Sequence, residues 1–237
     1  ILACNMDKVS TAIKTQVSKL TNESGQTDVT FHICSGLAGG TGSGTLIDVI
    51  AQIRSLYPPT DNIGYKIILY LFLPDRIPPP KWDASYYHAN GYAALVELNA
   101  YECRSYTPYN ILRTSETQAE RLDVSGLDKF CGAYIFSNTN ENGNQIGTEE
   151  EVPSMLADFI FQKNIVGSDD NWQTQLNHIE NNENCIPPLE GSSSGVPERS
   201  LRFLGFGIKR VAIPEEEIRE YMTFSYALQS ALQLRYN

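Results

Sequence analysis

The feature that most constrains the fold of this chain is a glycine-rich segment between a short apolar run and a helix-like pattern. Residues 36–44 contain five glycines and follow the β-branched and aromatic run Val29–Cys34, which is typical of a strand. After Thr45, apolar residues recur at helical spacing as far as Leu56, where Tyr57-Pro58-Pro59 ends a predicted helix. Such a loop lets the main chain approach an anion and present N–H donors to it, so phosphate is the expected ligand. A glycine-rich turn without a ligand is the alternative.

The rest of the chain alternates predicted helices with predicted strands. Helices are predicted over Met6–Leu20, from about Tyr86 to Tyr101 and from Glu149 onward, and strands over Tyr65–Leu73 and Phe130–Ser137. This alternation predicts an α/β fold with a Rossmann-like, mostly parallel sheet and helices on both faces. The proline-containing loop 74–81 follows the second strand, at the sheet edge where open α/β proteins bind ligands.

Three regions follow from these patterns. Residues 1–165 are expected to form part of an α/β domain, whose nucleotide-binding role is implied by the resemblance described below, and residues 166–200 to contain the end of a long helix and a polar linker. Residues 201–237 are expected to begin a second domain with a strand and a helix. The helix is predicted to start at Pro214, because proline suits a first turn and Glu215–Glu217 face the positive end of the helix dipole.

Charge and composition exclude several classes of function. The formal net charge is −10 without a basic cluster, which disfavours nucleic acid as a partner. The longest strongly apolar run, Ile67–Leu73, has seven residues, whereas a bilayer-spanning helix needs about 20. Three histidines lie far apart, so no metal site is expected. Five cysteines without a CxxC pair fit reduced thiols and a cytoplasmic location.

The stretch Ala38-Gly39-Gly40-Thr41-Gly42-Ser43-Gly44-Thr45 resembles the signature loop of the tubulin/FtsZ superfamily, written there as GGGTG[ST]G. Ala38 stands in place of the first glycine. The order of elements over most of residues 6–165 resembles the second half of that superfamily's nucleotide domain. The segment Phe203–Gly207 and the helix beginning at Pro214 look more like the divergent bacterial tubulin-like proteins than like tubulin or FtsZ themselves.

The resemblance implies a site for GTP or GDP, with Mg²⁺. Asn138, closing the third strand, is implied to read guanine, with a turn-forming role as the alternative. Asn90 is implied to touch the ribose or else to cap its helix. Phe159 or Met155 is implied to stack on the base, or else to lie in the core. The N–H groups and hydroxyls implied to hold the phosphates belong to Gly39, Gly40, Thr41, Gly42, Ser43, Gly44 and Thr45.

Two parts of the superfamily pattern are missing from these residues. The first strand and its phosphate loop are absent, so upstream sequence is expected to complete the pocket. The catalytic acids that one subunit offers to the next normally lie in an N-x-D-x-x-D context after the long helix, and no such pattern is present. Asp169, Asp170 and Glu216 are the candidates that remain, although the position of Glu216 at a helix start also explains it.

The leading hypothesis is therefore a tubulin/FtsZ-like GTP-binding protein that assembles head to tail into filaments. Hydrolysis, if it occurs, would be completed by the neighbouring subunit at the contact. The alternative is a non-hydrolysing nucleotide-binding scaffold or sensor that acts through a partner protein. An enzyme that uses a dinucleotide is disfavoured because the loop does not match GxGxxG.

Overall fold

The computed structural model describes residues 2–58, 64–78, 80, 85–103, 105–115, 118–122, 130–139, 142–143, 145, 151–165, 203–206 and 213–236. Its helices are α1 (Leu2–Ser24), α2 (Gly40–Leu56), α3 (Tyr87–Glu102), α4 (Glu151–Ile165) and α5 (Glu215–Tyr236). Its strands are β1 (Val29–Gly36), β2 (Tyr65–Phe72), β3 (Tyr109–Ser115), β4 (Gln118–Arg121), β5 (Gly132–Phe136) and β6 (Phe203–Leu204). The chain divides into two compact units, Ile1–Phe206 and Gly207–Asn237.

Four strands form a parallel sheet in the order β1-β2-β5-β6. The predicted α/β fold is thereby confirmed. Within the described residues, β1 pairs with β2 alone and so lies at one edge of this sheet. β6 pairs with β5 through Phe203 and Leu204, so this strand belongs to the sheet of the first unit. The division between the two units thus lies after Phe206, whereas the sequence pattern led us to expect a second domain from residue 201.

Helices cover both faces of the sheet, as expected. Strand β2 explains why: Ile67, Leu69 and Leu71 point into a core shared with α2 and α3, whereas Ile68 and Tyr70 point into a second core under α4. All five side chains are at most 2% exposed. Each buried aliphatic side chain contributes about 1.5–3 kcal/mol to folding, so a strand covered on both faces becomes a continuous apolar run.

The sequence did not predict the antiparallel hairpin β3–β4. Ser115 pairs with Gln118, and the sequence between them has none of the glycine or asparagine residues that mark a tight hairpin turn. The two strands are also short and rich in polar residues, so no alternating pattern singles them out. The hairpin lies beside α1 and α2 rather than in the main sheet.

A polar cluster is buried at the N-terminal end of β2, away from the loops that follow the strands. Arg54 is 1% exposed and donates to the carbonyl of Tyr65, the first residue of β2. Burial raises the pKa of the nearby Tyr101, with a further increase from Glu102 and an opposing effect of Arg54. Because a buried cation needs partners, this cluster serves to join α2 and α3 to the sheet.

Candidate functional site

Three strands end at the same level on one edge of the sheet. Gly36 of β1 is in register with Phe72 of β2, which is in register with Phe136 of β5. Neighbouring strands are about 4.8 Å apart, so the ends of β1 and β5 are separated by about 10 Å. The segments that follow these ends therefore share one edge, the carboxyl edge where open α/β sheets bind ligands.

Two backbone hydrogen bonds extend the sheet into these segments. The Leu37 N–H donates to the Phe72 carbonyl at 2.9 Å, and the Leu73 N–H donates to the Phe136 carbonyl at 2.8 Å. The Leu37 side chain is fully buried. Leu37, the first residue after β1, is thus anchored both by its backbone and by its side chain.

Helix α2 begins inside the glycine loop, at Gly40, rather than after Thr45 as the sequence pattern suggested. Gly39 is the N-cap residue in an extended conformation (φ −93°, ψ 156°), and no side chain caps the helix. The Ser43 N–H makes the first helical bond, to the Gly39 carbonyl at 3.2 Å. The N–H groups of Gly40, Thr41 and Gly42 therefore precede the helical bonding pattern and point out of the helix end. Together with the helix dipole, they favour an anion there.

The carbonyl groups of the same turn are already occupied within the chain. The Ala38 carbonyl accepts from Nδ2 of Asn90 at 3.0 Å. The Gly39 carbonyl accepts from the Ser43 hydroxyl at 2.7 Å, in addition to the Ser43 N–H. Acceptors are thus satisfied internally while donors remain at the helix end, an arrangement that suits a phosphate group.

The hydroxyl groups predicted to hold phosphate are used differently. Ser43 donates to Gly39, and the Thr45 hydroxyl donates to the Thr41 carbonyl at 2.8 Å. In this conformation neither hydroxyl proton points to a ligand, and the helix also uses the backbone N–H groups of Gly44 and Thr45. The donors that this conformation leaves for an anion are therefore the backbone N–H groups at the start of α2, and a role of the two hydroxyl groups in holding phosphate stays a prediction.

The four glycines at positions 39–44 fall into two groups. A Cβ at Gly42 would lie 2.1 Å from the Gly36 carbonyl oxygen, so close packing of α2 on the end of β1 requires glycine there. A Cβ at Gly39, Gly40 or Gly44 would meet nothing within 4 Å. These three positions also have ordinary negative or helical backbone angles. Packing and conformation therefore do not require glycine at these three positions, whereas a ligand lying against the main chain would.

Asn138 lies just beyond the end of β5, at the predicted edge, and is half-buried. Its Oδ1 accepts from the Thr139 hydroxyl at 3.1 Å. The turn itself is held by Ser137, whose hydroxyl oxygen accepts from the Thr139 N–H at 3.3 Å and donates to the Thr139 carbonyl at 2.9 Å. Ser137 therefore performs the bonding that the turn-forming alternative assigned to Asn138.

Asn90 lies within α3, which begins at Tyr87 and has Tyr86 as its N-cap residue. The alternative that Asn90 caps this helix was therefore wrong. Its amide instead joins α3 to the glycine loop through Ala38, a residue 52 positions earlier in the chain. A contact at that separation leaves no local signal in the sequence.

Phe159 and Met155 lie on the face of α4 that packs against the sheet. The Phe159 ring stacks on Phe206 at 4.3 Å between centroids and meets the rings of Tyr134 and Tyr70 edge-on at 5.2 and 6.3 Å. The contacts observed for Phe159 are thus the core contacts that helical spacing also allowed, and stacking of Phe159 on a base stays a prediction.

Replacing Phe159 by alanine is expected to lower the free energy of unfolding by about 3 kcal/mol, because it opens a cavity in the aromatic cluster. Phe161→Ala on the same helix is the matched control, since Phe161 is 53% exposed and should cost much less. Urea denaturation measures both. An unchanged urea midpoint for Phe159→Ala, accompanied by weaker nucleotide binding, would instead support stacking of Phe159 on the base.

None of the predicted catalytic acids is among the described residues of the first unit. Glu216 is exposed in the first turn of α5, in the second unit, together with Glu215 and Glu217. Asp169 and Asp170 lie outside the described residues. The favourable interaction of carboxylates with a helix N-terminus accounts for Glu216 without a catalytic role.

The sequence analysis missed Asp75, three residues beyond β2 at the same edge. Its Oδ2 accepts from the Tyr87 hydroxyl at 3.3 Å, and its carbonyl lies 2.9 Å from Nε2 of His88. Its Oδ1 is buried without a hydrogen-bond partner among the described residues. The available signal was an acid directly after Pro74 where a parallel strand ends.

The described residues contain no group of three His, Cys, Asp or Glu side chains placed to hold a metal ion. Mg²⁺ bound to a nucleotide needs only one or two protein ligands, because phosphates and waters supply the others. No helix within the described ranges has both the length and the apolar character that a membrane crossing demands.

Comparison with known proteins gives one match. A family model described as tubulin-like matches residues 1–232, nearly the whole chain. Neither a curated protein nor a solved structure matches.

Proposed function

Because the chain belongs to the tubulin-like family, we propose that it binds GTP or GDP at the glycine loop and assembles head to tail with further copies of itself. The observation that carries the proposal is that the glycine loop presents hydrogen-bond donors rather than acceptors. Its carbonyls at Ala38 and Gly39 are bonded within the chain, while the N–H groups of Gly40, Thr41 and Gly42 lie at an uncapped helix end. Such a surface offers donors to an anion and few acceptors that would repel it.

The nucleotide would run along the carboxyl edge of the sheet. Its phosphates would lie at the start of α2, and its base would reach toward Asn138, about 10 Å away across β2. Asp75 lies on the segment between them, and its buried Oδ1 is suited to accept a ligand hydroxyl or N–H group. Mg²⁺, bound through the phosphates, would supply charge neutralisation. Among the described residues, Cys34, Cys103 and Cys131 are not joined in disulfides, which supports the proposal of a cytoplasmic location.

Asn138→Ala is expected to weaken GTP binding by about 1–3 kcal/mol and to narrow the preference for GTP over ATP, because the amide would no longer pair with the guanine edge. Titration calorimetry with both nucleotides measures this change. Asn142→Ala, at an exposed position in the following turn, is the control. Equal losses for GTP and ATP would assign Asn138 a structural role instead.

Hydrolysis, if the chain performs it, should require contact between subunits. A single subunit would bind the phosphates but lack the group that orients water, so turnover per subunit should rise steeply with concentration and disappear on dilution. Sedimentation and phosphate release, measured at the same concentrations, test this expectation. Turnover that is independent of concentration would contradict shared catalysis.

The acid that completes the site can be sought with charge-removing variants. Asp169→Asn, Asp170→Asn and Glu216→Gln keep side-chain shape, so loss of turnover with assembly retained would identify the catalytic residue. Full turnover in all three variants would show that the catalytic acid is none of these three residues and must be sought elsewhere.

The second candidate function is a non-hydrolysing GTP-binding scaffold or sensor that acts through a partner protein. It is favoured by the lack of the N-x-D-x-x-D pattern after the long helix. A protein that binds GTP and assembles, yet releases no phosphate at any concentration, would establish this function over the first.

A further inference from the structure

The hydrogen bond between Asn90 and Ala38 has a consequence for the direction of one peptide group. The Ala38 carbonyl and the Gly39 N–H belong to the same planar trans peptide, so they point in opposite directions. Because Nδ2 of Asn90 holds the carbonyl toward α3 at 3.0 Å, the Gly39 N–H is directed away from α3. Gly39 itself is exposed and has open space around it.

We propose that Asn90 is a positioning residue that fixes this peptide so that its N–H, and not its carbonyl, faces the phosphates, and that Asn90 does not bind the sugar. The inference rests on the proposed function, because it concerns how the same loop recognises an anion. A flipped peptide would place a carbonyl oxygen against a phosphate, replacing an attraction with a repulsion. Glycine at position 39 offers little steric resistance to such a flip, so an external restraint is needed.

Asn90 is well placed to act as that restraint. Its backbone N–H donates to the Tyr86 carbonyl at 2.8 Å within the first turn of α3. The next residue, Gly91, packs so closely on Pro74 that a Cβ would lie 2.5 Å from the ring. The start of α3 is thus fixed against the segment that follows β2. On the other side, Leu37 is anchored in the core, which leaves the peptide between Ala38 and Gly39 as the element that Asn90 controls.

The side-chain chemistry indicates which variants are informative. Asn90→Ala removes the donor and leaves the peptide unrestrained. Asn90→Asp keeps the shape but replaces the donor with a carboxylate that repels the Ala38 carbonyl, so it should favour the flipped peptide. Tyr92→Ala on the same helix is the control, because the Tyr92 side chain is 74% exposed.

The experiment measures the binding of GTP, GDP and guanosine to the full chain and to the three variants by calorimetry, with urea midpoints recorded for each. A restraint on the phosphate loop predicts that Asn90→Ala weakens GTP and GDP about 10- to 100-fold, that Asn90→Asp weakens them further, and that guanosine affinity stays unchanged. Tyr92→Ala should bind all three ligands like the parent chain.

Other outcomes overturn the inference. Equal losses for GTP, GDP and guanosine would show that Asn90 binds the sugar, and unchanged GTP affinity in both variants would show that the peptide needs no restraint. If one of the two Asn90 variants fails to fold, the affinities of the other for GTP and for 2′,3′-dideoxy-GTP are compared with those of the parent chain. If Asn90 binds the sugar, the ratio of these two affinities should fall toward one in the variant. If Asn90 restrains the peptide, the ratio should stay as in the parent chain. A parent chain that binds neither GTP nor GDP would overturn the proposed function and this inference together.

Discussion

Gly40→Asp is expected to weaken GTP binding by about 100-fold or more while the protein stays folded. A Cβ at Gly40 meets nothing within 4 Å, and a carboxylate in the first turn of α2 interacts favourably with the helix dipole. The same carboxylate would lie where the phosphates are proposed to bind, and repulsion between like charges should cost about 3 kcal/mol or more, roughly a 100-fold loss of affinity. Calorimetry with GTP and urea denaturation separate the two effects.

Two further variants at position 40 identify the cause of the loss. Gly40→Asn has nearly the same shape as Gly40→Asp without the charge, and Gly40→Ala adds only the Cβ. If repulsion dominates, Gly40→Asn should retain much more affinity than Gly40→Asp. If all three lose affinity equally, the main chain must approach the ligand so closely that any side chain interferes. Undiminished GTP binding by Gly40→Asp would remove the start of α2 from the site.

The sequence was sufficient to predict the parallel sheet and the glycine-rich segment that follows its first strand, because both depend on local patterns. The doubly covered strand β2 is a continuous apolar run, and a strand followed by clustered glycines and a helix has few alternative structures. Parallel strands place their following loops at one edge, and the structure has both the glycine loop and Asn138, the residue that the family resemblance implied, at that edge.

What the sequence could not give depends on contacts between distant residues. The bond from Asn90 to Ala38 and the stacking of Phe159 on Phe206 join positions 52 and 47 residues apart, and neither leaves a periodic signal. The start of α2 was misplaced for a related reason. Clustered glycines disfavour a helix by propensity, but close packing of Gly42 on the end of β1 favours one there, and tertiary packing prevailed.

Packing requires glycine at position 42 but not at position 44. An alanine is therefore expected to change the free energy of unfolding in opposite directions at these two positions. A Cβ at Gly42 would lie 2.1 Å from the Gly36 carbonyl oxygen and 2.8 Å from Oγ of Ser35. Because the first of these atoms is backbone, relief requires α2 to move away from β1. At Gly44 a Cβ meets nothing within 4 Å, and the residue lies inside α2, where glycine costs about 1 kcal/mol relative to alanine.

Gly42→Ala is therefore expected to lower the free energy of unfolding by about 3 kcal/mol and to weaken GTP binding, because the start of α2 would be displaced. Gly44→Ala is expected to raise the free energy of unfolding by about 0.5–1 kcal/mol. Urea denaturation of both variants measures these changes in the free energy of unfolding and shows whether they have opposite signs. If Gly44→Ala is more stable but binds GTP more weakly, glycine at this position favours ligand binding although it lowers the stability of the protein. If Gly42→Ala is as stable as the parent chain, α2 does not pack against β1 as closely as the structure shows.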